Sequence, residues 1–154
     1  SVLIIGTANA VSDAAKAIRA LGSRATIVTV SNNASVGFIK LMGPLGHGTI
    51  VTQVFPYERS MAAPIVKEAS DLAHAKGMEG VSPSHMEGFA AAKVLVEGLK
   101  RAGPKPTRQA LIAALNGLQK IDIGGMELSY SPTDHSGLVY TDMSIISEDG
   151  KFRR

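Results

Sequence analysis

The sequence predicts an α/β fold built on a parallel sheet flanked by helices, and three observations carry that prediction. Residues 2–5 form an unbroken apolar run, which is typical of a strand buried on both faces of a parallel sheet. A helical repeat follows, in which Ala14, Ala17 and Ile18 share one face. A second strand predicted at 25–30 completes a strand–helix–strand unit, whose crossover should be right-handed.

The composition excludes several classes of function. The chain has 154 residues, 45% of them hydrophobic and 19% charged, which is enough for a globular domain with a core. It contains no cysteine, which excludes disulfides, thiolate metal sites and cysteine nucleophiles. No apolar run approaches the roughly 18 residues of a membrane span. The basic cluster at 151–154 reads as a solvated end, because no basic helix or aromatic platform accompanies it as a phosphate site would require.

The first half of the chain continues from the opening strand through a turn at 6–9. Ser12 is expected to cap the first helix, and Gly22 to end it. The second strand runs into a polar loop at 31–35. The elements predicted next are a short helix over 36–42, a Gly- and Pro-containing turn over 43–48, a strand over 49–55 and a helix over 63–76.

The second half begins with the longest helical pattern, which Gly103 ends. Thr107 can cap a following helix. Two strands are predicted after it, at 124–131 and 138–146, paired with each other across a turn. The positions expected to face inward in the two helices are Phe89, Ala92, Val96 and Leu99, then Leu111, Ala114, Leu115 and Leu118.

Candidate binding residues follow the first two strands, because ligands of open α/β sheets bind beyond the carboxyl ends of the strands, near helix N-termini. The loops offer small polar side chains and backbone amides, which suit a ligand carboxylate or amide. The alternative is that Ser12 merely caps a helix and the asparagine pair merely turns the chain. The predicted residues are Thr7, Ala8 and Asn9 in the first loop and Ser31, Asn32 and Asn33 in the second.

Other chemistry-bearing residues favour structural roles. Asp134, His135 and Ser136 are adjacent in the chain, whereas a catalytic triad needs groups that converge in space. The remaining histidines lack metal-ligand spacing, and the glycines at 43–48 neither follow a strand nor open a helix. We therefore expect no catalytic residue, no metal and no cofactor.

The stretches EGFAAAKVLVEGLKRAG at 87–103 and TRQALIAAL at 107–115 resemble the late helices of type I periplasmic solute-binding proteins of the branched-chain amino-acid (Leu/Ile/Val) ABC transporter family. The rest of the chain fits the C-terminal portion of that template in order. The chain also opens directly on a buried-strand pattern, so we expect a fragment of a longer protein.

The resemblance implies a periplasmic binding protein type I-like fold with a C-terminal β-hairpin, in which two lobes enclose a ligand cleft. The chain would supply an incomplete version of it. By the template, 1–42 belongs to the C-terminal lobe, 43–123 to the N-terminal lobe after a crossover, and 124–154 to a hairpin of the C-terminal lobe. Such a fragment would expose the edge and an apolar face of its first strand.

The resemblance also bears on the ligand. It places Ser31 where leucine-binding members carry an acid for the ligand ammonium, and Thr7 where they carry a cleft aromatic. Ser84 falls near a second cleft aromatic, which makes it a seventh candidate ligand contact. Because all three positions depart from the amino-acid pattern, a carboxylate or amide ligand held by Asn32 or Asn33 is the expectation.

The function implied is the solute-binding component of an ABC importer for amino acids or related small carboxylate or amide solutes. A ligand-sensing domain of a receptor or amide-responsive regulator is the alternative, and a small α/β enzyme is the third. The expected partners are a small-molecule solute, a membrane ABC permease, and either a missing N-terminal lobe segment or a second copy of the chain, with no nucleic acid. The implied location is periplasmic, and we expect any signal peptide to lie outside this segment.

Overall fold

A computed structural model describes residues 1–154, which divide into two compact units. Unit 1 comprises 1–57, 82–84 and 141–154, and unit 2 comprises 58–81 and 85–140. None of the helices is both long and apolar enough to cross a bilayer.

The helices and strands alternate through the first half of the chain, as the sequence predicts. In unit 1 they are β1 (Val2–Leu3), α1 (Ala8–Ala20), β2 (Ile27–Thr29), α2 (Val36–Met42), β3 (Ile50–Gln53), β6 (Asp142–Ile146) and β7 (Phe152–Arg153), with 3-10 turns at Ser31–Asn33 and Gly43–Gly46. The remaining elements are α3 (Pro64–Ala75), α4 (Pro83–Ala102), α5 (Arg108–Asn116), β4 (Ile121–Asp122) and β5 (Glu127–Leu128).

Unit 1 is built on a five-stranded sheet in the order β1-β2-β3-β6-β7. The first three strands are parallel, β6 pairs antiparallel with β3, and β7 pairs antiparallel with β6. The mixed α/β fold with a parallel-rich sheet is therefore confirmed, and β6 and β7 form a C-terminal hairpin closed by the turn at 147–150.

One face of this sheet forms the core of unit 1. Side chains that alternate along the strands point to this face, where they meet the apolar sides of α1 and α2. The cluster consists of Val11, Ala15, Ile27, Ala34, Phe38, Met42, Val51, Ile146 and Phe152.

The opposite face of the sheet carries an apolar row that crosses four strands. Leu3 pairs with Val28, Val28 with Ile50, and Ile50 with Ile145, so the four side chains stand side by side. Leu3 is 60% exposed and Ile145 is 45% exposed, and β1 is the outer strand. The exposed edge and apolar face expected for the first strand are both present.

The pairing of the last strands corrects the predicted hairpin of 124–131 with 138–146. β5 pairs with β4, and the two predicted partners share only one isolated bridge, between Ser129 and Gly137. β6 pairs instead with β3, where Ser144 accepts a buried hydrogen bond of 2.7 Å from Gln53. Gln53 and Ser144 are thus diagonal neighbours on the core face of the ladder.

The compact units divide the chain differently from the predicted lobe segments, which begin at 43 and 124. Because β3 lies between β2 and β6, residues 43–57 belong to the same unit as 1–42. The chain returns to that unit at Thr141. Which lobe of a larger protein each unit represents stays a prediction.

In unit 2, α4 buries a different face from the predicted one. Its inward positions are Met86, Ala90, Val94 and Gly98, four residues apart, whereas Val96 is 49% exposed and Leu99 38% exposed. Gly98 explains part of the shift. A Cβ atom there would lie 2.7 Å from a methyl group of Leu115, so its bare backbone lets α5 approach α4 closely.

Candidate functional site

The first predicted loop forms the N-terminus of α1. Thr7 has extended backbone angles, and its hydroxyl accepts a hydrogen bond of 3.3 Å from the amide of Ala10, so Thr7 caps the helix. Ser12, the expected cap, lies inside α1, where its buried hydroxyl donates a bond of 3.4 Å to the carbonyl oxygen of Leu41. The helix starts early because alanines follow Thr7 and favour helix.

The second predicted loop is tied to the first by two side-chain amides. Asn32 and Asn33 each donate a hydrogen bond of 3.2 Å to the carbonyl oxygen of Gly6. Gly6 directly precedes Thr7, and both asparagines belong to the 3-10 turn that follows β2. The loops after the two parallel strands therefore lie together at the carboxyl edge of the sheet, as predicted.

Asn33 differs from Asn32 in burial. Only 1% of Asn33 is exposed, and its amide nitrogen also donates a 3.0 Å bond to the hydroxyl of Thr29, which is itself fully buried. Both N–H groups of Asn33 are therefore used inside the protein. Asn32 is exposed, so its side chain remains accessible to solvent in the same loop.

Ser84 lies beside the second loop. Its hydroxyl donates a hydrogen bond of 3.2 Å to the carbonyl oxygen of Ala34, the residue after Asn33. Residues 82–84 belong to unit 1, although the chain on both sides of them belongs to unit 2. The structure thus brings all three predicted segments together in one unit. Whether they contact a ligand stays a prediction.

The chemistry offered at this edge is neutral and rich in hydrogen-bond donors. The first amides of α1 have no partner within the helix, and the positive end of the helix dipole lies there. The predicted segments supply the hydroxyls of Thr7, Ser31 and Ser84 and the carboxamides of Asn9 and Asn32, and none of the seven predicted residues carries a charge. Such a set can orient a carboxylate or an amide through hydrogen bonds alone.

Shifted carboxyl groups occur elsewhere and have structural causes. The pKa of Asp122 is lowered because the backbone amides of Gly124 and Gly125 donate to its carboxylate. The backbone amide and the hydroxyl of Ser136 lower the pKa of Asp134. His135 is exposed and stands edge-on to the Tyr130 ring, so the Asp-His-Ser run forms a hydrogen-bonded turn.

Two grooves of different size lie in unit 2, and none of the predicted residues lines either of them. The larger, of about 690 Å³, lies between α4 and the segment 119–123. An apolar groove of about 430 Å³ lies between α4, α5 and the Tyr130 side chain. No group of three or more His, Asp or Glu side chains is arranged to hold a metal ion.

Sequence reasoning missed the anchors that hold the predicted loops in place. These are the carbonyl oxygens of Gly6 and Ala34 and the hydroxyl of Thr29. Thr29 carried a detectable signal, because it is a polar residue at an inward position of a buried strand, where a hydroxyl needs a partner. The carbonyl oxygens of Gly6 and Ala34 belong to the backbone, so no side chain in the sequence marks them as acceptors.

Comparison with known proteins places the chain in a structural context. A family model described as "Periplasmic binding protein" matches residues 1–149. No match was found among curated proteins. A protein described as a possible leucine/isoleucine/valine-binding protein from Rhodopirellula baltica SH 1 is 25% identical, with a TM-score of 0.84 over 99% of this chain and 42% of that one.

Two further solved structures show the same relationship. A substrate-binding periplasmic protein from Ralstonia solanacearum is 29% identical, with a TM-score of 0.79 over 97% of this chain and 44% of that one. A leucine-binding protein from Thermotoga maritima MSB8, 16% identical with a TM-score of 0.80 over 99% of this chain and 43% of that one, shows the fold alone. The chain spans less than half the length of each of these proteins.

Proposed function

The chain belongs to the periplasmic binding protein family, and from that premise we propose that it is part of the solute-binding component of an ABC importer. Relatives of 25% and 29% identity are described as a possible leucine/isoleucine/valine-binding protein and as a substrate-binding periplasmic protein. Both descriptions concern binding, so the proposed role requires no bond-breaking chemistry.

The observation that carries the proposal is the convergence of three chain segments at one sheet edge. The loop after β1, the loop after β2 and the segment 82–84 are joined there by hydrogen bonds to Gly6 and Ala34. In open α/β sheets this edge is where ligands bind. The exposed polar groups that remain after those bonds are the proposed ligand contacts.

The proposed ligand is an amino acid or a related small solute with a carboxylate or amide group. The donors of Thr7, Asn9, Ser31 and Asn32 and the first amides of α1 suit such a group. The site lacks an acidic side chain at Ser31, so we propose that an α-ammonium group contributes less here than the acceptor end of the ligand.

The proposed partners follow from the same role. A membrane permease would receive the closed, ligand-bound form of the complete protein after a hinge motion. The apolar row of Leu3, Val28, Ile50 and Ile145 is the proposed contact for a further segment of the protein or for a second copy of this chain, because parallel sheets are normally covered on both faces. A periplasmic location is part of the proposal.

Calorimetric titration tests the binding role. The complete product of the gene and the 154-residue chain should be titrated in parallel with amino acids, dicarboxylates and their amides. We expect one of these classes to bind the complete product, and Asn32→Ala to weaken that binding at least tenfold, about 1.4 kcal/mol. Asn116→Ala, the same change in α5 of unit 2, serves as the matched control.

The outcomes separate the parts of the proposal. If Asn32→Ala and Asn116→Ala weakened ligand binding equally, the result would contradict the proposal that the ligand binds at the sheet edge. Turnover of a titrated solute would favour an enzyme, and binding of none of the classes by the complete product would contradict the solute role. Size-exclusion chromatography with light scattering tests the partner proposal, because a monodisperse, cooperatively folding monomer of the 154-residue chain would oppose it.

A further inference from the structure

Both main connections between the compact units start from the same end of the unit 1 sheet. The chain leaves unit 1 after Tyr57 and returns to it at Thr141. β3 and β6 are antiparallel neighbours, and their ladder ends at the pair Gln53 and Asp142. The β3–β6 pairing does not continue beyond that pair into the outgoing and returning segments.

Arg154 contacts both segments at this point. Its guanidinium donates a hydrogen bond of 2.9 Å to the Asp142 carboxylate, and its central carbon lies 5.8 Å from the centre of the Tyr57 ring. Only 11% of the Arg154 side chain is exposed. The Tyr57 hydroxyl adds a weak bond of 3.4 Å to the carbonyl oxygen of Phe152, in the strand that precedes Arg154.

Arginine is suited to this double contact. A guanidinium is planar and permanently charged, so it can donate to a carboxylate at its edge while an aromatic ring lies against its face. Partial removal from water strengthens both contacts compared with an exposed pair. The neighbouring Arg153 offers a contrast, because it pairs with Asp149 in a turn and its side chain is 46% exposed.

We propose that Arg154 is a positioning residue that ties together, within unit 1, the outgoing segment at Tyr57 and the returning segment at Asp142. Through this contact the two segments are held together beyond the last residue pair of the β3–β6 ladder. This inference concerns the connections alone and does not rest on the identity of the ligand.

Hydrogen–deuterium exchange on the 154-residue chain tests the tie. Arg154→Gln should speed amide exchange about tenfold in residues 54–60 and 139–143, with no change in β2 or α3. Arg154→Lys should restore protection only in part in both segments, since an ammonium keeps the charge that pairs with Asp142 but lacks the planar face that lies against Tyr57. Arg153→Gln, the matched control, should leave both segments unchanged.

A second variant keeps the test decisive if Arg154→Gln fails to fold. Tyr57→Leu should speed exchange in 139–143, and combining it with Arg154→Gln should add less than the sum of the two effects, because both act through one contact. Unchanged exchange in 139–143 on Tyr57→Leu would overturn the proposal. An increase spread evenly over unit 1 in Arg154→Gln would overturn it as well, since that pattern reports only lost stability.

Discussion

The buried side-chain amide of Asn33 donates a 3.2 Å hydrogen bond to the carbonyl oxygen of Gly6, a residue 27 positions earlier in the chain. This bond joins the loops that follow two parallel strands, and the same nitrogen also reaches Thr29. The relationship separates two neighbouring asparagines into different roles. Asn33 is buried and joins the two loops of the candidate site, whereas Asn32 lies at the exposed surface of that site.

Replacing Asn33 by alanine tests that separation. We expect Asn33→Ala to lower the free energy of unfolding by about 1–3 kcal/mol, because the buried hydroxyl of Thr29 loses its partner. Asn32→Ala is the control, since Asn32 is exposed and donates to the same Gly6 oxygen; its cost should stay within about 0.5 kcal/mol. Urea unfolding followed by circular dichroism measures both, and equal costs would contradict the assignment of roles.

Gly124 lies against the start of α3 and should not tolerate a side chain. Its φ is +116°, and an added Cβ would come within 2.9 Å of the Cα of Ile65, whose amide also donates a 3.0 Å bond to the Gly124 carbonyl. We expect Gly124→Ala to destabilise unit 2 by about 2–4 kcal/mol through strain and overpacking.

Gly88 provides the matched control for that glycine. It lies in α4 with open space around its Cβ position, so Gly88→Ala should stabilise the chain by about 0.5–1 kcal/mol. Urea unfolding midpoints should therefore move in opposite directions for the two variants. A shift of the same sign in both would show that the turn at 124 adapts.

The turn before Gly124 should make stability depend on pH. The pKa of Asp122 is lowered in the folded state by the amides of Gly124 and Gly125, and the unfolded value is about 3.9. A lowered folded pKa means that the ionised carboxylate stabilises the fold above the unfolded pKa. That contribution is lost as the pH falls through the folded pKa.

Asp122→Asn measures this contribution. The variant should be less stable than the wild type at pH 7, and the difference should shrink below about pH 4, as both wild-type pKa values are passed. Urea unfolding of both proteins at pH 2 to 7 gives the comparison. A difference that stays constant over this range would assign the effect to shape rather than charge.

The first two strands of unit 1 were predictable because they lie in short stretches rich in apolar and β-branched residues that end in polar loops. Residues 2–5 and 25–30 show this pattern, and both runs contain strands of the sheet. The pairing of β6 with β3 was not predictable, because it joins residues about ninety positions apart and competes with a shorter hairpin. Short-range turn signals around 131–137 favoured the local partner.

The inward face of α4 was misassigned because the helix is apolar on more than one side. Phe89 and Val96 form one stripe and Ala90 and Val94 another, and composition alone does not choose between them. The small residue Gly98 decides the packing by admitting α5. At the candidate site the pattern located the two loops, whereas Ser84 was found only through the family resemblance.

The register of β3 and β6 makes unit 2 an insertion within a β-hairpin. The two strands are adjacent and antiparallel, and everything from 58 to 140 connects their facing ends. A turn of two to five residues is enough to close such a pair. A shortened chain that joined them directly would keep Gly6 and Asn33 and lose Ser84, so it would carry two of the three segments at the candidate site.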